Sequence, residues 1–595
     1  DPNPAFEGES SLAAHSVQAS HLLSIAVDNA PFQQTQNIKT ALQSLRSIVS
    51  RQSAKPSTTQ IRFNPRKDLP AFSPTALRLP PLESVMNLLK TRRRQLDAFF
   101  DMCFPFSALD EFKDLLKSVY FNTDGYPTVT AVLVYGGLYY LFLESYMIDK
   151  REGREPTEMS NVDLCRENLE ICLDNLELLV SATDENVYAL LLGATYAVEK
   201  SKPSLCWSLT AAAVGLAKNL GYHRADSLCN DPVLKARRTY AFWSLYIIDK
   251  SLSLRLGRAS TIQDFDVSIP HPGDAVKVLI KYGHGSEEIW SEMMGLWIQF
   301  ASIQGRIYEK LYSPAALLSS AENRISAAES LAREMEELRE NWSTVSACER
   351  LIPVDSIERE DGLYYAKALQ QSDEVTHLST LTLIHRSASL SATPNQACIN
   401  YAREALEAHQ RAYHRYKEKD PEIWDGYLHW AVIHAPFAPF IVLFCHVIAT
   451  ANADDLQRLS AFVASIQSAS QLSEAANRFW VLCQIFHQVA ALYVEANARS
   501  GVDQQDPMSG LSAADPQMAD VPWSEFDQYL NALGFAPPRN AAGGEIGEAE
   551  GGFDTTSGQS PSLYPSGGLE NWFQGNQYML GLLEQDLSYL DHPPG

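Results

Sequence analysis

From about Leu82 to Asn497, apolar residues recur at three- and four-residue spacing between short turn signals, and no convincing run of alternating residues interrupts them. A period near 3.6 cannot place one face of a strand on a core, so the pattern predicts an all-α fold. Leu, Ala, Glu and Gln favour helix throughout, while Val, Thr and Ile rarely cluster. Segments 401–418, YAREALEAHQRAYHRYKE, and 321–340, AENRISAAESLAREMEELRE, read as surface helices whose charged faces are solvated. No fixed-period repeat marks a solenoid. With 45% hydrophobic and 10% aromatic residues, the 595-residue chain can bury a sizeable core.

The two ends differ from this middle. Residues 1–50 read as short helical pieces, with Leu22, Leu23, Ile25, Leu42, Leu45 and Ile48 as apolar faces. Pro56, Pro65, Pro70, Pro74 and Pro80 make 51–80 a connector. Residues 1–80 are therefore an N-terminal helical segment and linker, and 81–500 a large multi-helix domain. Residues 501–595 form an acidic low-complexity tail with fourteen Asp and Glu against Arg539 alone. The Gly/Ser/Pro/Glu-rich stretch 541–568 cannot bury enough apolar surface to order itself, so the tail is expected to be partly disordered. Two islands interrupt it: Trp523, Phe526, Tyr529 and Leu530, then Trp572 with Leu582 and Leu583. Acidic residues interleaved with aromatic ones are the pattern of activation segments that fold into a partner's groove, which implies transcriptional coactivators as partners.

Net charge and cysteine usage narrow the function classes. Lys and Arg number 48 against 72 Asp and Glu, a net charge of −24, so phosphate backbones repel this chain. Nine cysteines without a CxxC pair do not make a disulfide framework, and a reducing compartment is expected. No signal peptide is evident, and Asp1 in place of Met is expected of a piece of a longer chain. Gly426–Ala453 lacks Asp, Glu, Lys and Arg and is long enough to span a bilayer. Pro436, Pro439 and three histidines (His429, His434, His446) favour a kinked core helix instead. There is no GxxxxGK[ST], GxSxG, HExxH or post-strand GxGxxG, so no enzyme is expected. Arg92-Arg93-Arg94, the one sharp basic run, reads as a solvated helix turn ahead of a weak nuclear-localisation element.

The most informative stretch is 205–272. LCWSLTAAAVGLAKNL at 205–220 is a helix ended by Gly221, followed by Tyr222-His223-Arg224. Asp231 as N-cap and Pro232 at the first helical position start another helix, which runs to about Leu256 and stops at Gly257-Arg258. Asp249 lies inside that apolar helix and should be paired if buried. Arg224, Arg238 and Arg258 are the cations at hand, so an ion pair tying loop to helix is expected.

Gly221-Tyr222-His223-Arg224, Arg237-Arg238, Phe242-Trp243, Tyr246, Asp249-Lys250, Leu256-Gly257-Arg258-Ala259, Asp264, Asp266 and Pro270 resemble the middle homology region of fungal zinc-cluster transcription factors. Tyr222 for Leu, Lys250 for Arg and Ala259 for Pro are mild departures. Weaker similarity, including Leu79-Pro80-Pro81 and Pro436–Phe440, extends it to roughly residues 80–500. The resemblance implies a nuclear regulatory region that reaches DNA only through a separate N-terminal domain, with homodimerisation in the full-length protein. Zinc is expected in that domain and no cofactor here, because the family's six-cysteine cluster is absent from this sequence. Some members bind small molecules directly. An apolar inducer would then meet Trp243, Tyr246, Trp297, Phe300, Trp430, His434, Phe437 and Phe440, which are equally good core residues. The alternative is a helical scaffold that assembles partner proteins without binding DNA.

Overall fold

The computed structural model describes residues 73–91, 109–122, 125–151, 153–154, 159–176, 181–225, 230–273, 275, 286–345, 357–388, 395–417, 421–435, 437–467 and 474–502. The predicted helices of 1–50 and, beyond Val502, the acidic tail with its two islands lie outside the described residues. Among the described residues there is no strand, and the fold is all-α.

Most consecutive helices pack against each other, as short connections favour. The first six are α1 (Leu82–Thr91), α2 (Leu109–Tyr120), α3 (Thr128–Arg151), α4 (Met159–Asp174), α5 (Asp184–Glu199) and α6 (Pro203–Asn219). The apolar α3 lies at their centre, with Val132, Val134, Tyr135, Leu138 and Tyr140 fully buried. By length and composition Thr128–Met147 could cross a membrane, but 78% of that window is buried inside the fold, as expected for a core helix.

α7 (Pro232–Leu256) links this group to the next. Its ends are those the sequence predicts. Asp231 accepts hydrogen bonds from the Val233 and Leu234 amides, and Pro232 opens the helix. Gly257 closes it at φ 61°, a left-handed conformation that a Cβ would disfavour. α8 (Ser286–Ile307) continues through a π turn at Tyr308–Tyr312 to the short α9 (Pro314–Leu317), and α10 (Ala321–Val345) then packs back on α8. Leu331, Met335 and Leu338 of α10 meet Ile303 and Ile307 of α8 in a second, smaller core.

α11 (Ile357–Ser387) and α12 (Gln396–Tyr416) form the next pair. The charged segments 401–418 and 321–340 are solvated on one face only, since Ala402, Ala405, Leu406, His409 and Ala412 are buried, as are Ala328 and Leu331. The charge-free stretch is a broken core helix, as the prolines predict. α13 (Pro421–Tyr427) runs into a π turn at Leu428–His434, and α14 (Pro439–Thr450) leaves at 63°. α15 (Ala453–Ile466) and α16 (Glu474–Val502) cover α14. The π turn reaches back to the N-terminal half. His429 bonds Ser201 (2.6 Å), His434 bonds Ser251 (3.2 Å), and Arg255 donates to the Ile433 carbonyl (3.1 Å).

Burial fixes the protonation of this core. It pushes His377, His409 and His434 down to about 3 and His429 to about 4. It pushes Glu199 and Asp373 up to about 7. For the histidines the folded pKa is depressed, so their contribution is complete above about pH 6.5 and is lost as pH falls. For the two carboxyls it is raised, so stability is lost as pH rises from about 4 to 7. Four groups outweigh two, and the unfolding temperature should climb between pH 4.5 and 6. His409→Phe should reduce that slope by about 1.4 kcal/mol per pH unit, the effect of one proton. Thermal unfolding across pH checks this, and an unchanged slope would mean the buried ring is protonated.

Candidate functional site

Three side chains spaced along one face of α7 catch the chain that follows it. Asp249, 1% exposed, accepts hydrogen bonds from the Thr261 amide (3.0 Å), Thr261 Oγ1 (2.6 Å), the Ile262 amide (3.0 Å) and the Ser260 hydroxyl. One turn back, the Tyr246 hydroxyl donates to Asp264 (2.9 Å). Another turn back, Trp243 Nε1 donates to the Pro270 carbonyl (3.0 Å). Residues 258–271 thus run antiparallel to α7 as a strap. Lys250 adds a fourth tie, with Nζ 2.8 Å from both the Ile262 carbonyl and Asp264.

The expected ion pair on Asp249 is corrected by this geometry. Arg224 pairs with Asp266, Arg238 makes a two-pronged bond to Asp184 (2.9 and 3.0 Å), and Arg258 lies over the Trp207 ring. A carboxylate needs donors rather than a cation, and backbone amides of a tight turn supply them without burying a second charge. Gly221 (φ 76°) turns the chain so that the His223 carbonyl accepts from the Ser268 amide (2.9 Å), while Lys218 and Arg224 grip Asp266. The central motif is therefore a clasp that fastens the strap at both ends.

A cavity of about 480 Å³ lies between the strap, α7, α8 and α10. Trp243 and Tyr246 form one wall; Val267, Ile269 and His271 of the strap form another. Ile298, Ser302, Ile303 and Arg306 of α8 face Glu334, Glu337, Leu338 and Asn341 of α10. Trp243 stacks on His271 at 5.2 Å. Arg306 pairs with Glu334 (2.6 Å). Burial, and then Asp264, raise the pKa of the Tyr246 hydroxyl and keep it a donor.

Of the eight residues named as ligand contacts from the sequence, Trp243 and Tyr246 line this cavity. The others stand in separate clusters. Trp297 donates to Asp373 (3.0 Å), and Phe300 packs on His377. Trp430 is 38% exposed beside His434, whereas Phe437 and Phe440 are buried against Phe462. Sequence reading missed Asp264, His271, Arg306, Glu334, Glu337 and Asn341 as wall residues. Glu334 and Glu337 sit in the segment read as an ordinary solvated face, and their i, i+3 spacing was the only available signal.

No group of three or more His, Cys, Asp or Glu among the described residues could hold a metal.

Residues 168–342 match the family of the fungal specific transcription factor domain, a span that contains every cavity residue. Curated relatives include an uncharacterized transcriptional regulatory protein of Schizosaccharomyces pombe, 26% identical over 44% of this chain and 41% of its own length. ABC-transporter-regulating transcription factors of Aspergillus oryzae (27%) and Aspergillus fumigatus (26%) each match over 38% of this chain and 24% of their own length. The matches thus span well under half of these relatives. No solved structure matches the chain.

The clasp makes opposed predictions for two glycines nearly three turns apart on α8. A Cβ at Gly305 would stand 2.7 Å from Cδ of Lys250, whose ammonium is already held, whereas Gly295 has nothing within 4 Å. Gly305→Ala should therefore cost about 1–3 kcal/mol as an overpacked contact, while Gly295→Ala should stabilise by up to about 1 kcal/mol. Asp249→Asn, which replaces one acceptor oxygen with a donor facing other donors, should cost about 2–3 kcal/mol. Urea denaturation of the three variants checks these values. Residues 168–342 are thus similar to the fungal specific transcription factor domain, and curated relatives of the chain are named as transcriptional regulators.

Proposed function

We propose that this chain is the regulatory and effector region of a fungal zinc-cluster transcription factor, acting in the nucleus and controlled by a small molecule in the strap cavity. The observation that carries the reading is the cavity itself. Its volume is within the range of small-molecule sites, and two of its walls, α7 and the strap, are fastened to each other by the clasp. An occupant would touch Trp243, Tyr246, the strap and α10 together, so it would favour one arrangement of strap and helix over another. A hundredfold change in population ratio needs a difference in affinity worth about 2.7 kcal/mol between the two arrangements.

Output passes to residues 503–595, whose acidic and aromatic islands engage coactivators, while DNA is reached through a separate basic domain. The chain's charge of −24 supports that division of labour. Two of the relatives are named as regulators of ABC transporters, and this supports a small-molecule-responsive circuit.

Fusing either residues 503–595 or the whole chain to an unrelated DNA-binding domain tests the reading with a reporter. The tail alone should activate several-fold more strongly than the whole chain, because the helical region restrains it. Equal, negligible activation by both fusions would remove the effector role.

A further inference from the structure

The charges around the cavity are not balanced, and the imbalance names the occupant. Deepening the proposed regulatory role, this inference rests on the cavity being a ligand site. Its apolar lining is Ile269, Ile298, Ile303 and Leu338, all buried. The lining also carries charge. Asp264 is answered by the Lys250 ammonium at 2.8 Å and the Tyr246 hydroxyl at 2.9 Å. Glu334 is answered by Arg306 at 2.6 Å. Glu337, one turn further along α10 on the same wall, makes no ion pair within 4 Å among the described residues, and Arg333 one turn back bonds the Glu329 carbonyl (3.4 Å) instead. The lining thus carries one carboxylate without an ion pair beside apolar side chains, with the Trp243 indole, one face of it stacked on His271, in the wall.

Each ligand charge type meets this arrangement differently. An anion would be repelled by Glu337, while Arg306 of the lining and the buried Lys250 beside Asp264 are already engaged by carboxylates. A neutral apolar molecule would use the apolar lining and gain nothing at Glu337. A cation with an apolar body would place the body on the apolar lining and its charge between Glu337 and the Trp243 ring, where carboxylate and π face both attract it. We propose that the cavity binds an organic monocation carrying a flat aromatic or aliphatic body.

Isothermal titration of the full chain with three naphthalene probes of matched ring and similar size tests this directly. They are (naphthalen-1-ylmethyl)trimethylammonium, its neutral analogue 1-neopentylnaphthalene, and the anion 1-naphthylacetate. The cation should bind about tenfold tighter than the neutral probe, with the anion weakest, and the preference should shrink as salt is raised. Glu337→Gln, on an exposed position that the fold does not need, should bring the cation close to the neutral probe and leave the neutral probe unchanged. Ser302→Trp, which fills the cavity from α8, should abolish binding of both. Equal or tighter binding of the neutral probe would overturn the cation assignment while leaving the cavity a ligand site. No heat from any probe would overturn the ligand-site reading as well. Cation binding that survives Ser302→Trp would lie outside the cavity and would also overturn the proposal.

Discussion

The Asp249 carboxylate is the constraint on which the functional half of the molecule depends. It is almost completely buried on an apolar helix, a position that would be prohibitively costly without compensation. Four donors from residues 260–262 supply that compensation, two of them backbone amides. Those amides can converge on one carboxylate only if the chain reverses immediately after α7. The left-handed Gly257, with the Arg258 amide bonded back to the Ser253 carbonyl, makes that reversal. Once 260–262 is fixed, the next residues must run back along α7, where Lys250, Tyr246 and Trp243 meet them in turn.

The cavity follows from this run. The strap, non-helical except for a 3-10 turn at Asp264–Asp266, lies over a helix less closely than another helix would, because its side chains project at the wrong spacing to interdigitate with α7 and α8. Space remains where the strap, α8 and α10 come together, and polar side chains at its mouth keep it accessible to solvent. The same arrangement links the cavity to distant parts of the fold. Asp266 of the strap is gripped by Lys218 and Arg224 beside α6, and Arg255 and Ser251 on α7 bond the π turn that carries Ile433 and His434. A shift of the strap would therefore be felt both at the end of α6 and at the broken helix in the C-terminal half.

Some of this was legible in the residues. Asp231-Pro232 and Gly257 mark the ends of α7 because capping is local chemistry, and the charge-free stretch with two prolines correctly implies a broken core helix. The need of Asp249 for partners was legible too, but not their identity. Sequence displays candidate cations, whereas backbone amides are available everywhere and leave no mark. The ligand residues fared similarly. Aromatic residues crowd every apolar helix here, so Trp297, Phe437 and Phe440 could not be told apart from Trp243 and Tyr246 before the helices were placed. Glu334 and Glu337 were hidden for the opposite reason: a carboxylate at the edge of a cavity and one in bulk water have the same helical spacing.

Hydrogen exchange at the Thr261 and Ile262 amides tests the central claim most directly, since both lie outside any helix and donate to Asp249, with Ser260 Oγ a longer second acceptor for Ile262 (3.3 Å). Protection comparable with the middle of α7, lost in Asp249→Asn while α7 itself stays protected, is the predicted result. Exchange of both amides within seconds in the unsubstituted chain would contradict it, because a strap that opens freely could neither define the cavity nor transmit its occupancy.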